Sequence, residues 1–284
     1  MLDLAPAVIQ DVVARALAED VGTGDLTTLG AIPAEAWAEA AFVFREAGVV
    51  CGLPVLRATF AAVDPALTLT PLVAEGATVA EGTTVATIAG PARGLLTGER
   101  VALNLFQRMS GVATLTARYV AAVAGTKVRI LDTRKTTPGL RAIEKYAVRT
   151  GGATNHRFGL YDGVMLKDNH LAILAAQGCD LAEAVRRVRA AVGPMVRVEV
   201  EVESITQAVA ASEAGADLIL LDNMPPDQLR AAVRAVAGQA LTEASGGITL
   251  TSIRAVAESG VDFISVGALT HAARALDIGL DSAL

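Results

Sequence analysis

The chain has 284 residues, of which 52% are hydrophobic, and it carries 24 Lys or Arg against 30 Asp or Glu. The net charge of −6 argues against a nucleic-acid-binding or anionic-membrane-binding surface, so any anion site must be local. No apolar stretch approaches the ~18 residues of a membrane span, and the N-terminal pattern is not that of a signal peptide. Because the two cysteines lie in unrelated contexts, we expect inert core thiols and a cytoplasmic protein.

The N-terminal part of the chain combines a helix with short strands. Helical spacing places apolar residues on one face within residues 1–20, and short β-like runs bounded by glycine extend from Ala40 to about Leu95. Residues 72–90 are similar to a biotinyl or lipoyl hammerhead, but the first lysine of the chain is Lys127, so a carrier lysine is missing. We therefore interpret residues 1–110 as a structural α/β-sandwich domain, and residues 271–284 as a segment that could pack back on it.

A long amphipathic helix comes next, with Thr97 and Glu99 as start signals and Gly125 as the stop. After Gly125, continuously apolar runs alternate with Ala-rich helical periods. This alternation is typical of a parallel sheet covered by helices, and the number of units favours a closed or nearly closed barrel. We predict a βα-barrel domain over residues 111–270, with its chemistry at the carboxyl ends of the strands.

Polar residues gather at those strand ends, where a single one would be ordinary but six sets together are not. They are Arg134 and Lys135, residues 167–169, Glu201 with Glu203, Asp222 with Asn223, residues 245–247, and Gly267. The window from 134 to 167 contains seven Lys or Arg and two acidic residues, a local charge of +5 in a chain of net charge −6. Adjacent cations at a strand end repel each other, so this contrast predicts a polyanionic ligand.

Acidic residues alternate in "EVEVES", which places Glu199, Glu201 and Glu203 on one face of a strand. Buried carboxylates need a cation or a metal partner, and Asp222 ends the next strand. Carboxylates at neighbouring strand ends, together with ligand phosphates, suit Mg²⁺. A salt bridge to Lys167 or Arg157 is the alternative, and both arrangements can hold together.

Glycine turns follow the last two strands, in "EASGGIT" and "SVGALTH", and each turn opens a helix. Glycine exposes backbone N–H groups, and a helix N-terminus adds positive potential, so the pair of turns is typical of a phosphate site. The position after the final strands of a barrel is the recurrent phosphate position.

The motifs "DTRKTTPGLR", "GGATNHRFGLYDGVMLKDNH", "EVEVES", "LLDNM" and "EASGGI" occur in this order, with "EDVGTGDLTT" near the start. In this order and spacing the chain resembles the quinolinate phosphoribosyltransferases, also called nicotinate-nucleotide pyrophosphorylases (carboxylating). The resemblance implies an α/β-sandwich joined to an open, seven-stranded βα-barrel, in a homodimer or larger assembly. It also implies condensation of quinolinate with phosphoribosyl pyrophosphate (PRPP) and Mg²⁺, giving nicotinate mononucleotide, pyrophosphate and CO2.

The resemblance assigns roles to residues at the matching positions. Catalytic roles fall to Lys135, Lys167, Glu201 and Asp222, with Glu201 and Asp222 also near the metal, directly or through water. The 5′-phosphate loops are Ser245, Gly246 and Gly247 with Val266, Gly267 and Ala268. Quinolinate binding is assigned to Arg100, lent by a neighbouring subunit, and to Thr133, Arg134, Lys135, His156, Arg157 and Lys167.

Other functions remain open at this stage. Nicotinate phosphoribosyltransferase uses the same sugar donor with a monocarboxylate, although the extra cations favour a dicarboxylate. A paralogue that acts on another anionic ring is a further alternative. The hammerhead-like part also suggests a non-catalytic anion-binding or carrier module, against which the missing lysine and the polar strand ends both count.

Overall fold

The computed structural model describes residues 4–282, which form two compact units. The first unit extends to Ala117 and also includes Thr136–Gly152 and the chain from Ala268 onward. The second unit consists of Arg118–Lys135 and Ala153–Gly267. Segments that are distant in sequence therefore share the first unit.

Short helices and strands precede one long helix in the first part of the chain. In order they are α1 (Pro6–Asp20), α2 (Leu26–Ala31), β1 (Trp37–Phe44), β2 (Gly48–Val49), α3 (Leu53–Val63), β3 (Thr68–Pro71), β4 (Thr78–Val79), β5 (Thr84–Pro91) and α4 (Ala92–Ala122).

Strands and helices alternate in the rest of the chain. In order they are β6 (Arg129–Leu131), α5 (Arg141–Thr150), β7 (Val164–Leu166), α6 (Asp168–Ala175), α7 (Leu181–Ala191), β8 (Val198–Val202), α8 (Ile205–Glu213), β9 (Leu218–Asp222), α9 (Pro226–Val236), β10 (Leu241–Ser245), α10 (Ile253–Ala257), β11 (Phe263–Ser265), α11 (Ala268–His271) and β12 (Ile278–Ser282).

The first unit is built on an antiparallel sheet with strand order β12-β1-β5-β3. Successive residues of a strand face opposite sides, and in β1 the inward set Ala40, Phe42 and Phe44 is buried. The ring of Phe42 meets Phe60 and Phe106 edge to face, with centroids 6.0 and 6.2 Å apart, a favoured aromatic geometry. This sheet confirms the predicted N-terminal α/β domain.

The long helix α4 begins earlier than the sequence signals indicated. Thr97 and Glu99 were expected to mark its start, but the helix begins at Ala92. Thr97 lies inside it, and its hydroxyl donates a hydrogen bond to Asp25 Oδ2 at 3.3 Å, so its polarity serves a tertiary contact instead of a cap. Despite the length of α4, no helix within residues 4–282 is both long and apolar enough to cross a membrane.

The second unit is built on a parallel sheet with strand order β6-β11-β10-β9-β8-β7. Its central strands are buried on both faces, as the continuous apolar runs predicted; in β9, Ile219, Leu220 and Leu221 are buried. This parallel sheet with intervening helices confirms the predicted class of the C-terminal part.

A seventh strand is present only as a single bridge. Thr154 pairs in parallel with Leu131 outside β6, and β7 forms the opposite edge of the six-stranded sheet within residues 4–282. The ladder stops after Thr154 because the buried Asp132 carboxylate accepts the backbone N–H of His156 at 2.7 Å. A side chain thereby takes the donor that a longer strand would have used.

Candidate active site

Polar residues and glycines follow the strands at the carboxyl edge of the parallel sheet, the edge where barrel enzymes place their chemistry. Register sets neighbouring strand ends side by side, and Asp222 on β9 lies opposite Ser245 on β10. The segments at this edge are 132–135 after β6, 167–169 after β7, 203–204 after β8, 223–224 after β9, 246–247 after β10 and 266–267 after β11. Most of the predicted site residues therefore lie at this edge.

Lys167, Glu201 and Asp222 form a charged group at this edge. The Nζ of Lys167 lies 2.5 Å from Oε2 of Glu201 on the adjacent strand. Burial and the Glu201 charge raise the pKa of Asp222, whereas a hydrogen bond from Asn223 at 2.6 Å and the Lys167 charge lower it. Two carboxylates thus share one ammonium group, and the excess negative charge suits a further cation.

Asp132, directly after β6, fixes the segment that contains His156. Its carboxylate is fully buried and accepts hydrogen bonds from Asn155 Nδ2 and from the His156 backbone N, both at 2.7 Å. The segment is therefore tied to the end of β6 before any ligand arrives. Sequence reasoning did not select Asp132, although an acid at the end of an apolar run was a usable signal.

The imidazole of His156 lies between two buried carboxylates. Its Nε2 is 3.0 Å from Glu199 Oε2 and 3.6 Å from Glu243 Oε2. Its Nδ1 accepts a hydrogen bond from the Arg157 backbone N at 2.7 Å, so both ring nitrogens face protein groups. Burial and the Glu199 charge raise the pKa of Glu243 to about 8.

Two arginines, Arg134 and Arg157, lie close enough for their charges to interact. Burial and the Arg134 charge lower the pKa of Arg157, while the Glu199 and Asp162 carboxylates oppose that change. Arg157 is oriented by a hydrogen bond from Nη1 to the Gly163 carbonyl at 2.8 Å. Two guanidinium groups that repel each other would be stabilised by a bound anion.

The loop after β10 is built on two glycines with left-handed backbone. Gly246 and Gly247 have φ of +96° and +59°, values that favour glycine. A Cβ at Gly246 would lie 2.1 Å from Asn223 Oδ1, whereas nothing lies within 4 Å of one at Gly247. A cavity of about 230 Å³ is lined by Ser245, Gly246 and Gly247 together with residues of α9 and α10.

The remaining predicted residues lie at the same edge of the sheet or in the first unit. Lys135 is exposed, and its backbone N donates a hydrogen bond to Thr133 Oγ1 at 3.0 Å. Val266 donates its backbone N–H to Leu131 O at 2.9 Å, which joins the last strand end to the first. Arg100 is exposed on α4 and Ala268 begins α11, so these two residues belong to the first unit.

Sequence reasoning missed Glu243 and did not select Glu199 as a site residue. Glu243 is fully buried in the middle of β10, and Glu199 is only 3% exposed. The available signal was the single acid in the run "LTEAS". In a strand that is buried on both faces, this acid must be buried whichever face it is on, as Glu199 is.

Comparisons with known proteins agree with the motifs. Residues 25–110 match the quinolinate phosphoribosyl transferase N-terminal domain model, and residues 112–281 match the C-terminal domain model. The chain is 46% identical over 266 residues to a probable nicotinate-nucleotide pyrophosphorylase (carboxylating) of Bacillus subtilis, covering 94% of this chain and 90% of that one. It is also 46% identical over 280 residues to the nicotinate-nucleotide pyrophosphorylase (carboxylating) of Mycobacterium leprae, covering 96% of each.

A solved structure extends the likeness to the fold. NadC from Streptococcus pyogenes matches with a TM-score of 0.94 and 42% identity, covering 99% of this chain and 98% of that chain. The two domain models together match residues 25–110 and 112–281, which is most of the chain. The chain belongs to the quinolinate phosphoribosyltransferase family.

Proposed function

We propose that this protein transfers the phosphoribosyl group of PRPP to quinolinate and releases the adjacent carboxylate as CO2, in NAD biosynthesis. The products are nicotinate mononucleotide, pyrophosphate and CO2. The observation that supports this most is the grouping of Lys167, Glu201 and Asp222 at the strand ends that also carry Arg134 and Arg157, in a chain of this family. The two free cysteines, both buried, suit a reducing cytoplasm as the site of action.

Quinolinate has two carboxylates, and the cations after β6 and Thr154 supply matching charge. Arg134 and Arg157 offer planar donor forks that can bind a carboxylate through two parallel hydrogen bonds. Thr133, Lys135 and His156 complete the proposed binding set. The repulsion between the two guanidinium groups is relieved when the dicarboxylate lies between them.

The loops after β10 and β11 are proposed to hold the 5′-phosphate of PRPP. Gly246 and Gly247 line the cavity with left-handed backbone and carry no Cβ atoms, so their peptide N–H groups are the proposed phosphate donors. Ser245 adds a hydroxyl donor, and residues 266–268 supply the second loop.

Ribosyl transfer develops positive charge on the sugar as pyrophosphate departs. Glu201 and Asp222, side by side at the ends of β8 and β9, are placed to stabilise that charge. Lys167 is held against Glu201 and balances one of the two carboxylates until the substrate binds. In the proposed reaction, the carboxylates of Glu201 and Asp222 thus supply negative charge beside the sugar as its positive charge develops.

Decarboxylation follows from the charge on the ring nitrogen. Once that nitrogen is bonded to the sugar, it is cationic and stabilises the electron pair that the breaking C–C bond leaves on the adjacent ring carbon as CO2 departs. Lys167 and Lys135 are the proposed stabilisers of the resulting carbanion before a proton replaces CO2. The two lysines come from different loops at the same edge of the sheet.

Mg²⁺ is the proposed cofactor, and the donor set fits it. Hard cations prefer carboxylate oxygens and retain several waters, and Glu201 and Asp222 present two carboxylates that both interact with the Lys167 ammonium. Bound with PRPP, the ion would neutralise charge on the leaving pyrophosphate.

We also propose a homodimer or larger assembly in which Arg100 enters the neighbouring subunit's site. Arg100→Ala and Lys135→Ala proteins, each inactive alone, should recover about a quarter of wild-type activity after subunit exchange, since about half of the dimers are mixed and carry one intact site. No recovery after verified exchange would place Arg100 outside a shared site.

The reaction itself is tested by incubating the purified protein with quinolinate, PRPP and Mg²⁺ and measuring nicotinate mononucleotide. We expect product with quinolinate and none with nicotinate at the same concentration. Product from nicotinate alone would reassign the protein to the monocarboxylate reaction, and product from neither would refute the proposed function.

A further inference from the structure

His156, Glu199 and Glu243 form a buried group whose candidate ligand atoms all lie within 4.8 Å of one another. Because His156 Nδ1 accepts a hydrogen bond from the Arg157 backbone N, the neutral ring must carry its hydrogen on Nε2. That nitrogen faces both carboxylates, at 3.0 and 3.6 Å. One N–H group thus faces two acids that would otherwise both be charged.

A divalent metal does not fit this group. A metal bound at Nε2 would require the ring hydrogen at Nδ1, where a second-shell acceptor normally holds it. Here a donor, the Arg157 backbone N–H, occupies Nδ1 at 2.7 Å. The same contact argues against a doubly protonated imidazolium, because that form has hydrogens on both nitrogens.

One hydrogen of this group lies on His156 Nε2, and a further proton that neutralises one of the two acids must lie on a carboxyl group. Of Glu199 and Glu243, Glu243 is the better candidate. It is fully buried, and neither of its oxygens has a hydrogen-bond partner of acceptable geometry among the described residues. Glu199 lies nearer to the imidazole Nε2, at 3.0 Å against 3.6 Å for Glu243, so the single N–H is better placed to compensate Glu199.

We propose that Glu243 is a positioning residue that holds a proton, and that the neutral acid together with the Glu199 carboxylate fixes His156 as the Nε2–H tautomer. In that tautomer Nδ1 accepts the Arg157 backbone N–H and thereby orients Arg157. This effect on substrate rests on the proposed function, because Arg157 is a proposed quinolinate ligand. A second buried negative charge would draw the imidazole and the Arg157 segment out of place.

The groups that act on Glu243 come from four different segments of the second unit. Glu199 lies on β8 and His156 on the segment after Thr154, while Ser265 lies on β11 and Lys167 follows β7. Burial and Glu199 raise the pKa of Glu243, and His156, Ser265 and Lys167 lower it, with a net rise from 4.5 to about 8. The direction of this change agrees with the proton that the geometry assigns to Glu243.

The tautomer can be read directly by nitrogen NMR on protein labelled at histidine. The chain has three histidines, so His156 can be assigned by comparison with His156→Gln. We expect an unprotonated Nδ1 and a protonated Nε2 for His156 at neutral pH. Protonation of both nitrogens, or of Nδ1 alone, would overturn the proposal.

The proton on Glu243 also predicts a pH-dependent stability. The unfolded chain loses this proton near pH 4.5, while the folded protein keeps it to about pH 8. Folded protein thus binds more protons across that window, so wild-type stability falls as pH rises through it. Glu243→Gln cannot ionise. The melting temperature of this variant minus that of the wild type should therefore increase from about pH 5 to about pH 9. A constant difference would contradict a protonated Glu243.

Quinolinate affinity distinguishes a positioning role of Glu243 from a role in packing alone. Glu243→Gln keeps a neutral side chain of the same shape, so at neutral pH its affinity should stay within about twofold of wild type, whereas Glu243→Leu should lose about tenfold or more. Equal affinity of the Leu variant would refute the positioning role. If wild type itself binds no quinolinate, the proposed function fails, and the proton assignment is still decided by NMR and the pH dependence.

Discussion

Glu144 in the first unit and Glu243 in the second are both fully buried glutamates, yet their surroundings differ completely. Glu144 Oε1 accepts from Arg108 Nε at 3.0 Å, and its Oε2 accepts from the Thr137 backbone N at 3.0 Å. Neither oxygen of Glu243 has such a partner among residues 4–282, and the His156 Nε2 lies 3.6 Å from its Oε2.

The difference shows that burial alone does not distinguish structural charge from functional charge. A buried carboxylate with a cation and a backbone donor is compensated by the protein and serves to hold segments together. One that meets another carboxylate is compensated only by a proton or a ligand. Glu144 in the first unit is of the compensated kind, and Glu243 in the middle of β10 is of the other.

Isosteric variants test this contrast most strongly. Glu144→Gln breaks a compensated buried pair and leaves Arg108 without its counter-charge, so we expect a loss of about 3 to 5 kcal/mol in the free energy of unfolding. Glu243→Gln, which resembles the protonated acid, should lose little at neutral pH. Denaturant unfolding of both variants and the wild type measures these losses, provided that the free energy of unfolding falls with denaturant concentration at the same slope in all three proteins. Equal losses would erase the contrast between the two glutamates.

Two lysines in similar ion pairs test the same contrast for catalysis. Lys127 pairs with Asp262 at 2.8 Å, and Lys167 pairs with Glu201 at 2.5 Å. Only Lys167 has a second carboxylate nearby, so Lys167→Ala should reduce turnover by about 10²- to 10³-fold, or about 2.7 to 4 kcal/mol. Steady-state kinetics should show Lys127→Ala unchanged. A rise in KM alone for Lys167→Ala would reassign Lys167 to substrate binding.

Arginines give a smaller effect, on binding. Loss of a charge-assisted hydrogen bond costs about 1.5 to 3 kcal/mol, so Arg134→Ala or Arg157→Ala should weaken quinolinate binding by roughly 10- to 150-fold. Arg186, paired with Glu183 on the exposed face of α7, provides the matched control. Calorimetric titration compares them, and unchanged affinity in both site variants would exclude these two residues as quinolinate ligands.

Two adjacent glycines give the smallest effect. Gly247→Ala meets no atom within 4 Å, so its structural cost is the left-handed backbone alone, about 1 to 2 kcal/mol. Gly246→Ala would in addition press on Asn223. We expect Gly246→Ala to be the less stable protein in thermal unfolding, and Gly247→Ala to weaken PRPP binding. Normal PRPP affinity in a folded Gly247→Ala protein would place the phosphate elsewhere.

Local patterns were enough to predict the strand ends. An apolar run followed by Lys167, Asp222 or Ser245 predicts a strand with a polar carboxyl end. A parallel sheet brings all of these ends to one edge. Alternation placed Glu199 and Glu201 on one face, and the structure has Glu199 buried and Glu201 partly buried there. The salt bridge between Glu201 and Lys167 was one of the alternatives left open.

Contacts between distant segments could not be predicted in this way. Thr97 carries a start signal for a helix, yet it contacts Asp25 inside a helix that begins at Ala92. The seventh strand is cut short because Asp132 captures the backbone of a residue 24 positions later. Each outcome depends on which residue from a distant part of the chain makes the contact in the folded protein, and the spacing of residues in the sequence does not specify that partner.

Stoichiometry tests the central claim most directly. With quinolinate labelled at the carboxyl group next to the ring nitrogen, PRPP and Mg²⁺, labelled CO2 and pyrophosphate should be released in equal amounts by the wild-type protein. Neither should form when PRPP is omitted, because the ring nitrogen then never becomes the cation that stabilises the carbanion left by CO2. Pyrophosphate without CO2, or CO2 without PRPP, would contradict the proposed coupling of ribosyl transfer to decarboxylation at these strand ends.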